Sequence, residues 1–378
     1  MPIRKPTGTS ARRRPRLGRR HLSYATAGVD SHQEESGLSA LVALLQDTLA
    51  TRPVGLGHVK LPFGFFANVV EVAGLGVAIS TDGVGSKLLI AQLMDTYDTI
   101  GIDCVAMNVN DILCVGAEPL TMVDYVAVQE PLPRLLIDIA KGLRAGALAA
   151  GITIPGGEIA QVRDVIKGMR AGYGFDLAGT AIGTVALDKI RVGKDIEPDD
   201  VVLALRSSGI HSNGLTLARR LFRKHRPTRH FPELGRSLGE ELLVPTRIYV
   251  KEVLDVLAAG VDVKALIHIT GDGFLNLLRV ASETGYVIHS LPEPPPIFDI
   301  IQRELGVATE EMYGVYNMGV GFCLVVSHRG DHATRARELL KRRHVDCSEI
   351  GRAVRSPERT IVIEPVKLEG KDGRLRRI

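Results

Sequence analysis

Residues 81–87 have the sequence Thr-Asp-Gly-Val-Gly-Ser-Lys and follow directly on a short apolar run. The apolar run predicts a β-strand that carries Asp82 to the edge of a sheet. Gly83 and Gly85 let the backbone approach an anion closely, and Lys87 adds a positive charge. The glycine spacing is not that of a P-loop, and Asp-Gly is also a common hairpin turn. The stretch alone therefore leaves both a phosphate-binding loop and a simple turn open.

The next stretch, residues 99–116, predicts a helix, because its apolar side chains recur at helical spacing. Its polar residues Asp103, Asn110 and Asp111 fall on another face. An ordinary solvent-exposed helix face would be enough to explain these polar residues. Against that reading, the polar set is small and acidic and follows closely on Asp82 in the sequence. Three carboxylates beside a glycine-rich loop suit Mg²⁺, which takes oxygen ligands and substrate phosphates.

Three later loops repeat the combination of glycine with polar residues. They are Ile154-Pro-Gly-Gly-Glu158, Ser-Ser-Gly-Ile-His-Ser-Asn-Gly at 207–214, and His-Ile-Thr-Gly-Asp-Gly at 268–273. Small residues before a helix N-terminus make an anion site, because the first N–H groups of a helix are unpaired. A lone loop histidine is usually idle, but His211 stands among such groups and is a candidate for proton transfer. Asp124, inside another predicted strand, is either a functional group or a buried, hydrogen-bonded one.

The composition is that of a globular chain of two or three domains, with 378 residues, 45% of them hydrophobic and 24% charged. No apolar run is long enough to span a bilayer. Because the chain has no Trp and 4% aromatic residues, it offers little for stacking on bases, and nucleic acid is not expected as the main substrate. Four cysteines without CxxC spacing favour a reducing cytoplasm.

The first twenty residues contain eight Lys or Arg and no acidic residue, whereas the rest has 39 basic and 43 acidic residues. We expect this segment to be disordered, with nonspecific polyanion binding as the alternative. It lacks the apolar core of a secretory signal, and its prolines oppose an amphipathic transit helix. The predicted organisation is a basic tail at 1–21, a first domain at 22–185, a linker at 186–200, a second domain at 201–365 and a tail at 366–378.

Taken together, the motifs resemble those of the AIR synthetase family, the phosphoribosylformylglycinamidine cyclo-ligases. Those that carry the resemblance are, in order, YATAGVD, TDGVGSK, GIDCVAMNVNDIL, GAEPL, GGE, SSGIHSNG, PTRIYV, HITGDGF and EMYGVYNMGVG. They extend from about residue 22 to residue 364. The resemblance implies an α/β (α+β) two-domain fold, in which the N-terminal domain forms a β-barrel across a homodimer. A C-terminal α/β domain would pack beside it, with the active site in the cleft between the halves.

The resemblance also implies a reaction. The family binds ATP with Mg²⁺ and phosphorylates an amide oxygen of formylglycinamidine ribonucleotide, and an internal nitrogen then closes the imidazole ring of aminoimidazole ribonucleotide. The catalytic residues that we expect are His211, Asp82, Asp103 and Glu158. Metal ligands would be Asp82, Asp103 and Asp111. Contacts to the nucleotide or substrate would come from Gly83, Gly85, Lys87, Asn110, Asp111, Ser208, Ser212, Asn213 and His268.

The chain departs from the family pattern at three places. Residues 159–163 replace the family's Thr-Ala-Glu-Met-Pro after GGE, Asp272 interrupts a triple glycine, and the glycine-rich loop at 57–64 is thinned. These changes put the substrate in question more than the use of ATP. Two alternatives stay open: a related ATP-dependent enzyme that acts on another small ribonucleotide, and a non-catalytic, nucleotide-binding regulatory dimer.

Overall fold

The computed structural model describes residues 31–378, and their side chains from residue 36 onward. The predicted basic tail and the motif at residues 24–30 lie outside this range. Two large sheets organise the described chain, one in each half. Between residues 31 and 378 no helix is both long enough and apolar enough to cross a membrane.

The first sheet has five strands in the order β1-β2-β5-β3-β4, and only the pair β3-β4 is parallel. Its strands are β1 (Asn68–Val72), β2 (Leu75–Gly83), β3 (Glu118–Val128), β4 (Gly157–Gln161) and β5 (Phe175–Ala186). The helices of this half are α1 (Ser31–Gln46), α2 (Lys87–Met94), α3 (Ile100–Leu113) and α4 (Pro133–Ala150). The stretch 81–87 thus joins the end of β2 to the start of α2, as predicted.

Helix α3 lies at the centre of the first half, between the sheet and α4. Gly101 of α3 meets Gly142 of α4 so closely that a Cβ on Gly101 would lie 2.1 Å from the backbone nitrogen of Leu143. On the sheet side, Gly179 of β5 leaves room for Asn108, whose Nδ2 would lie 3.0 Å from a Cβ at that position. Close packing on both sides therefore fixes the side chains of α3 against the strand ends.

The opposite face of the first sheet is open and apolar. Five large hydrophobic side chains on it are 37–45% exposed, namely Leu75, Ile79, Val123, Tyr125 and Ile182. Ile79 and Ile182 are direct partners on β2 and β5, so they point to the same side. We call this surface the open face. The described strands form an open sheet, and the predicted barrel would need strands from a second copy.

The second sheet has eight strands in the order β15-β14-β13-β10-β12-β6-β11-β9, and only β10-β13 is parallel. Its strands are β6 (Val201–Arg206), β9 (Val263–His268), β10 (Thr284–Ile288), β11 (Val320–Val326), β12 (Cys347–Arg355), β13 (Ile361–Ile363), β14 (Leu368–Lys371) and β15 (Arg374–Arg377). A separate pair is formed by β7 (His230–Phe231) and β8 (Arg236–Ser237). The helices are α5 (Leu215–Ala218), α6 (Leu238–Leu242), α7 (Val250–Ala258), α8 (Pro296–Leu305), α9 (Thr309–Val315) and α10 (His332–Arg342).

Two segments differ from their prediction. Residues 366–378 are not a tail, because β14 and β15 form a hairpin that extends the second sheet, with Leu368 completely buried. Short strands dense in charged residues give no clear apolar pattern, which explains the error. The linker at 186–200 contains a short 3₁₀ helix (Leu187–Lys189), and Val192 packs into the core.

Candidate functional site

The end of β2 fixes Asp82 through the amide of Asn108 on α3. The backbone N–H of Asp82 donates to Asn108 Oδ1 (3.0 Å), and Asn108 Nδ2 donates to the backbone oxygens of Asp82 (3.1 Å) and Cys104 (2.9 Å). The N–H of Gly83 donates to Asp82 Oδ1 at 2.7 Å. Asn108 was not among the predicted site residues. Its position one helical turn after Cys104, on the side of α3 that faces the sheet, was the available signal.

Asp82 faces Asp111 of α3. Burial, followed by the negative charge of Asp111, raises the pKa of Asp82 from 3.8 to about 6, although the N–H of Gly83 and the ring of His268 oppose the change. His268 Nδ1 lies 2.9 Å from Asp111 Oδ1 and orients that carboxylate. Two carboxylates that repel each other form an oxygen donor set suited to a hard divalent cation. The structure therefore brings Asp82, Asp111 and His268 together, whereas the predicted metal ligands were Asp82, Asp103 and Asp111.

Lys87 and Asp103 are placed differently from the prediction. Both side chains are fully buried, and Lys87 Nζ donates to Asp103 Oδ1 (2.8 Å) and to the backbone oxygens of Val244 (2.7 Å) and His211 (3.2 Å). An ammonium group has three protons, and these three acceptors use all of them. Lys87 therefore has no proton left for a phosphate in this arrangement, whereas the buried Oδ2 of Asp103 has no hydrogen-bond partner among the described residues.

Asp103 also joins the two halves of the chain. Its Oδ1 accepts from the backbone N–H and the Oγ1 of Thr246, both at 2.7 Å, and from Ser212 Oγ at 3.1 Å. Thr246 belongs to the PTRIYV motif, for which the sequence indicated no role. Asn110 binds the same segment, because its Oδ1 accepts from the N–H of Tyr249 and its Nδ2 donates to the oxygen of Arg247. These α3 side chains position the second half.

His211 lies buried in the loop 207–214, with a positive φ of 62°. Its Nε2 accepts from the N–H of Ser208 at 3.2 Å, so in the neutral ring the proton is on Nδ1. That Nδ1 has no partner among the described residues. Burial first, and then the positive charges of His268, Lys87 and Arg247, hold the pKa of His211 well below its usual range. The residue is thus a neutral hydrogen-bond donor in its resting state.

The polar neighbours of His211 have separate tasks. Ser208 Oγ donates to the oxygen of Pro245 at 2.6 Å, and Ser212 binds Asp103. Asn213 lies beside Gly271 of the loop 268–273, since a Cβ on Gly271 would be 3.3 Å from Asn213 Oδ1. The buried Nδ2 of Asn213 has no partner in the described chain. Asn213 and His211 are therefore the two residues of this loop with a side-chain nitrogen free to contact a ligand.

Glu158 is not brought to Asp82 and Asp111. Across the first sheet, Asp82, Gly179, Asp124 and Gly157 form one row of paired residues. Glu158 occupies the next row, so it points to the open face, and β5 and β3 separate its strand from β2. Asp124 instead shares the face of Asp82, and burial raises its pKa. The predicted catalytic role of Glu158 is not supported by this geometry.

The two glycines of the first loop, Gly83 and Gly85, differ in their surroundings. Gly85 has φ of 67°, which disfavours a side chain, and a Cβ at this position would meet open space. Gly83 ends β2 beside Asp82. Gly85 therefore leaves the backbone accessible at the edge of the site, whereas the N–H of Gly83 is already bound to Asp82.

A second acidic group lies elsewhere, at the start of β6. Glu197, Asp200 and His328 offer ligand atoms within 4.8 Å of one another. Asp200 already accepts from the N–H groups of His328 and Glu197, and Glu197 pairs with Arg329 at 2.7 Å. These bonds give Glu197 and Asp200 a structural role. We therefore do not move the predicted metal site to this group.

Two family models match the chain, and together they span most of it. The model of the AIR synthase related protein, N-terminal domain, matches residues 66–185. That of the C-terminal domain matches residues 197–364. The chain belongs to the AIR synthase family. The family recognised in the motifs is thereby confirmed.

Curated relatives in the AIR synthase family are named phosphoribosylformylglycinamidine cyclo-ligase. The protein of Methanothermobacter thermautotrophicus is 49% identical over 311 residues, which cover 81% of this chain and 88% of the relative. The protein of Thermococcus kodakarensis is 47% identical over 338 residues, covering 89% and 96%. The similarity of this AIR synthase family member to these relatives therefore extends over most of their length. The relatives are named as enzymes.

A solved structure shares the fold at lower identity. AaThiL complexed with AMPPCP and TMP matches with a TM-score of 0.60 and 16% identity, over 88% of this chain and 94% of that one. At this identity the likeness concerns the fold alone. It confirms the predicted two-domain α/β class for this AIR synthase family member.

Proposed function

We propose that the chain catalyses the ATP-dependent closure of formylglycinamidine ribonucleotide to aminoimidazole ribonucleotide, with release of ADP and phosphate, in purine synthesis. The observation that carries the proposal is the convergence of Asp82, Asp111 and His268 with the unpartnered Nδ1 of His211 between the two halves. It occurs in a chain whose relatives at up to 49% identity are named as this cyclo-ligase.

The proposed reaction has two steps. The terminal phosphoryl group of ATP passes to the amide oxygen of the substrate, which turns a poor leaving group into phosphate. An internal nitrogen then attacks the same carbon, the carbon–oxygen bond breaks, phosphate leaves and the nitrogen loses a proton. Preorganised N–H hydrogen-bond donors, together with a cation, stabilise the charge that develops on the phosphoryl oxygens.

Asp82 and Asp111 fit Mg²⁺ through their paired oxygens and the raised pKa of Asp82, which a nearby cation would lower. When bound, the ion would neutralise phosphate charge. His268 holds Asp111 in place, and the backbone at Gly85 is open to a phosphate. The structure of AaThiL with AMPPCP supports the use of ATP in this fold. His211 would donate its Nδ1–H to the substrate and so orient the reacting amide.

A homodimer is part of the proposal. The open face exposes Leu75, Ile79, Val123, Tyr125 and Ile182 on adjacent strands. A contiguous apolar patch of this kind is typical of an interface between subunits, and a second copy would cover it by an isologous contact. The four cysteines are unpaired, which fits the cytoplasmic location expected from the sequence.

The test is an assay of purified protein with formylglycinamidine ribonucleotide, ATP and Mg²⁺, in which ADP and aminoimidazole ribonucleotide are measured together. Equal, substrate-dependent formation of both products is expected. Asp82→Asn should abolish both, whereas Asp188→Asn, which changes an exposed carboxylate on the linker, should not. ATP binding without either product would contradict the proposal and favour another ribonucleotide or a regulatory role.

A further inference from the structure

The segment 313–321 has the sequence Tyr-Gly-Val-Tyr-Asn-Met-Gly-Val-Gly, and none of its residues belongs to the candidate site. It joins the end of α9 to the start of β11, and every residue in it except Gly314 is buried. The segment contacts the loop 207–214, which carries His211, at both ends of the loop and at the histidine ring. It therefore decides how that loop is held.

Asn317 binds the first part of the loop through its side-chain amide. Its Oδ1 accepts from Ser207 Oγ (3.0 Å) and from the N–H of Gly319 (2.9 Å), and its Nδ2 donates to the backbone oxygen of Gly209 (2.9 Å). Because the N–H of Gly319 can only donate, it fixes which end of the amide is the oxygen. Asn317 is 3% exposed, so water does not compete freely for these bonds.

Two neighbours of Asn317 hold the rest of the loop. Tyr316 Oη donates to the backbone oxygen of Gly214 at 3.1 Å, and a Cβ on Gly214 would lie 2.2 Å from Tyr316 Cε1. On β11, Gly321 leaves room for the imidazole, because a Cβ there would lie 2.7 Å from His211 Cε1. The loop is thus fixed at both ends, and the ring packs closely against the strand.

These contacts bear on the position of the proton on His211. Asn317 binds Ser207 and Gly209, the two residues that flank Ser208. The N–H of Ser208 donates to His211 Nε2 at 3.2 Å. A ring nitrogen that accepts a hydrogen bond carries no proton, so the neutral ring has its proton on Nδ1. The contacts therefore lead from the amide of Asn317 through the loop backbone to the tautomer of the histidine.

We propose that Asn317 sets the tautomer of His211 and thereby presents the Nδ1 proton to the ligand. The inference rests on the proposed function for the use of that proton, whereas the tautomer itself does not depend on the identity of the substrate. Asn317 is a positioning residue, because it acts through the backbone on either side of Ser208. Without its amide, the loop loses two hydrogen bonds and the imidazole is free to carry its proton on either nitrogen.

The experiment is nitrogen-15 NMR of protein labelled at the histidine ring nitrogens, at about pH 8, where the imidazole is neutral. Protonated and unprotonated ring nitrogens have separate shifts, so the spectrum reports the tautomer directly. The chain has 11 histidines, and the signals of His211 are those that disappear in His211→Asn. The wild type should have the proton on Nδ1, and Asn317→Ala should show a mixture that includes the Nε2–H form.

The matched control is Gln92→Ala. Gln92 is also 3% exposed, and its Oε1 accepts from the N–H groups of Met169 (2.7 Å) and Arg170 (3.4 Å) in a different loop. Each variant therefore removes one buried amide that ties down a loop, and urea unfolding measures what each removal costs. Gln92→Ala should leave the signals of His211 unchanged.

A second variant covers the case in which Asn317→Ala does not fold. Asn317→Asp has nearly the same shape and still accepts from Ser207 and Gly319. Its ionised carboxylate has no proton to donate to Gly209, so it should give the same mixture of tautomers.

Steady-state kinetics then connect the tautomer to turnover. The folded Asn317 variant should lower kcat by about tenfold, the scale of one hydrogen bond that is made in the transition state, and should leave the KM of ATP unchanged. A loss confined to binding of ATP would contradict the inference, because His211 is placed at the ribonucleotide.

Four further outcomes would overturn the inference: a wild-type proton on Nε2, an unchanged tautomer in a folded Asn317 variant, the same change of tautomer in Gln92→Ala, or a changed tautomer with an undiminished kcat. The NMR result does not require turnover, which separates this inference from the proposed function. If the wild type does not convert the expected substrate but the tautomer responds to Asn317, the function fails and the role of Asn317 in the tautomer stands. If the enzyme is active and the tautomer does not respond, the inference fails alone.

Discussion

Lys87 Nζ and Asp103 Oδ1 lie 2.8 Å apart, and neither side chain has any exposed area. Desolvation lowers the pKa of Lys87, and the charge of Asp103 opposes that shift. The pair is the centre of a network that includes Thr246 and the backbone oxygens of His211 and Val244. Two helices of the first half are thereby bound to two loops of the second.

The first prediction concerns this pair. Lys87→Met should destabilise the protein by about 3–5 kcal/mol, because it leaves the carboxylate of Asp103 buried without a counter-charge. Urea unfolding at pH 7 measures the change. Lys141→Met is the control, since Lys141 pairs with Asp138 on the surface of α4 and its removal should hardly be detected. Equal stability of the two variants would contradict the structural role of Lys87.

The second prediction concerns stability and pH. The pKa of Asp82 is about 6 in the folded chain and near 3.8 when unfolded. Between these values the unfolded state has lost the proton and the folded state retains it, so stability falls as pH rises from about 4 to 6. Above pH 6 the ionised carboxyl costs about 1–3 kcal/mol.

Asp82→Asn removes that cost. The variant should therefore be more stable than the wild type at pH 7 and should lose the decline between pH 4 and 6. Urea unfolding of both proteins across this pH range provides the comparison, and identical pH curves would contradict the assignment. A variant that is inactive but more stable is expected where a carboxylate is retained for its chemistry.

Parts of this site followed from the sequence and parts did not. The strand end at Asp82 and the helix with Asp111 were predictable, because an apolar run and a 3.6-residue period set them locally. The shared face of Asp103, Asn110 and Asp111 was also predictable, but its partner was not. Helical spacing predicts which side of the helix a side chain faces, but it does not predict which other segment packs against that side. Here the second half of the chain packs against Asp103 and Asn110. Glu158 was misplaced for a similar reason, since a motif does not give sheet order.

The third prediction concerns activity and pH. Protonated Asp82 binds a cation poorly, so kcat/KM at limiting Mg²⁺ should fall as pH decreases through about 6. His211 should add no limb near its usual range, because its pKa is held well below it. The pH profile of His211→Asn should keep the same limb at a lower rate. If His211→Asn lost this limb of the pH profile, the group that titrates would be His211 and not Asp82.

The fourth prediction tests the metal. Mg²⁺ with ATP should raise the melting temperature of the wild type, because a ligand that binds the folded state stabilises it by mass action. EDTA should reverse the shift. Asp82→Asn should show little of it, and Asp188→Asn should show all of it. A full shift in Asp82→Asn would place the cation elsewhere, for example at Glu197 and Asp200.

The fifth prediction concerns assembly. Ile79→Asp puts a charge in the middle of the open face and should convert a dimer to a monomer in light-scattering measurements. Ile137→Asp is the matched control, because Ile137 is 56% exposed on α4, away from the open face. If both variants kept the mass of the wild type, the open face would not be the interface.

The hairpin β14–β15 places its last strand at an edge of the second sheet, where no further strand of the described chain pairs with it. Unprotected edges invite strand addition and aggregation. Three of the four residues of β15 are arginines, Arg374, Arg376 and Arg377. Like charges on two such edges repel each other, so this strand acts as a gatekeeper against cross-β assembly.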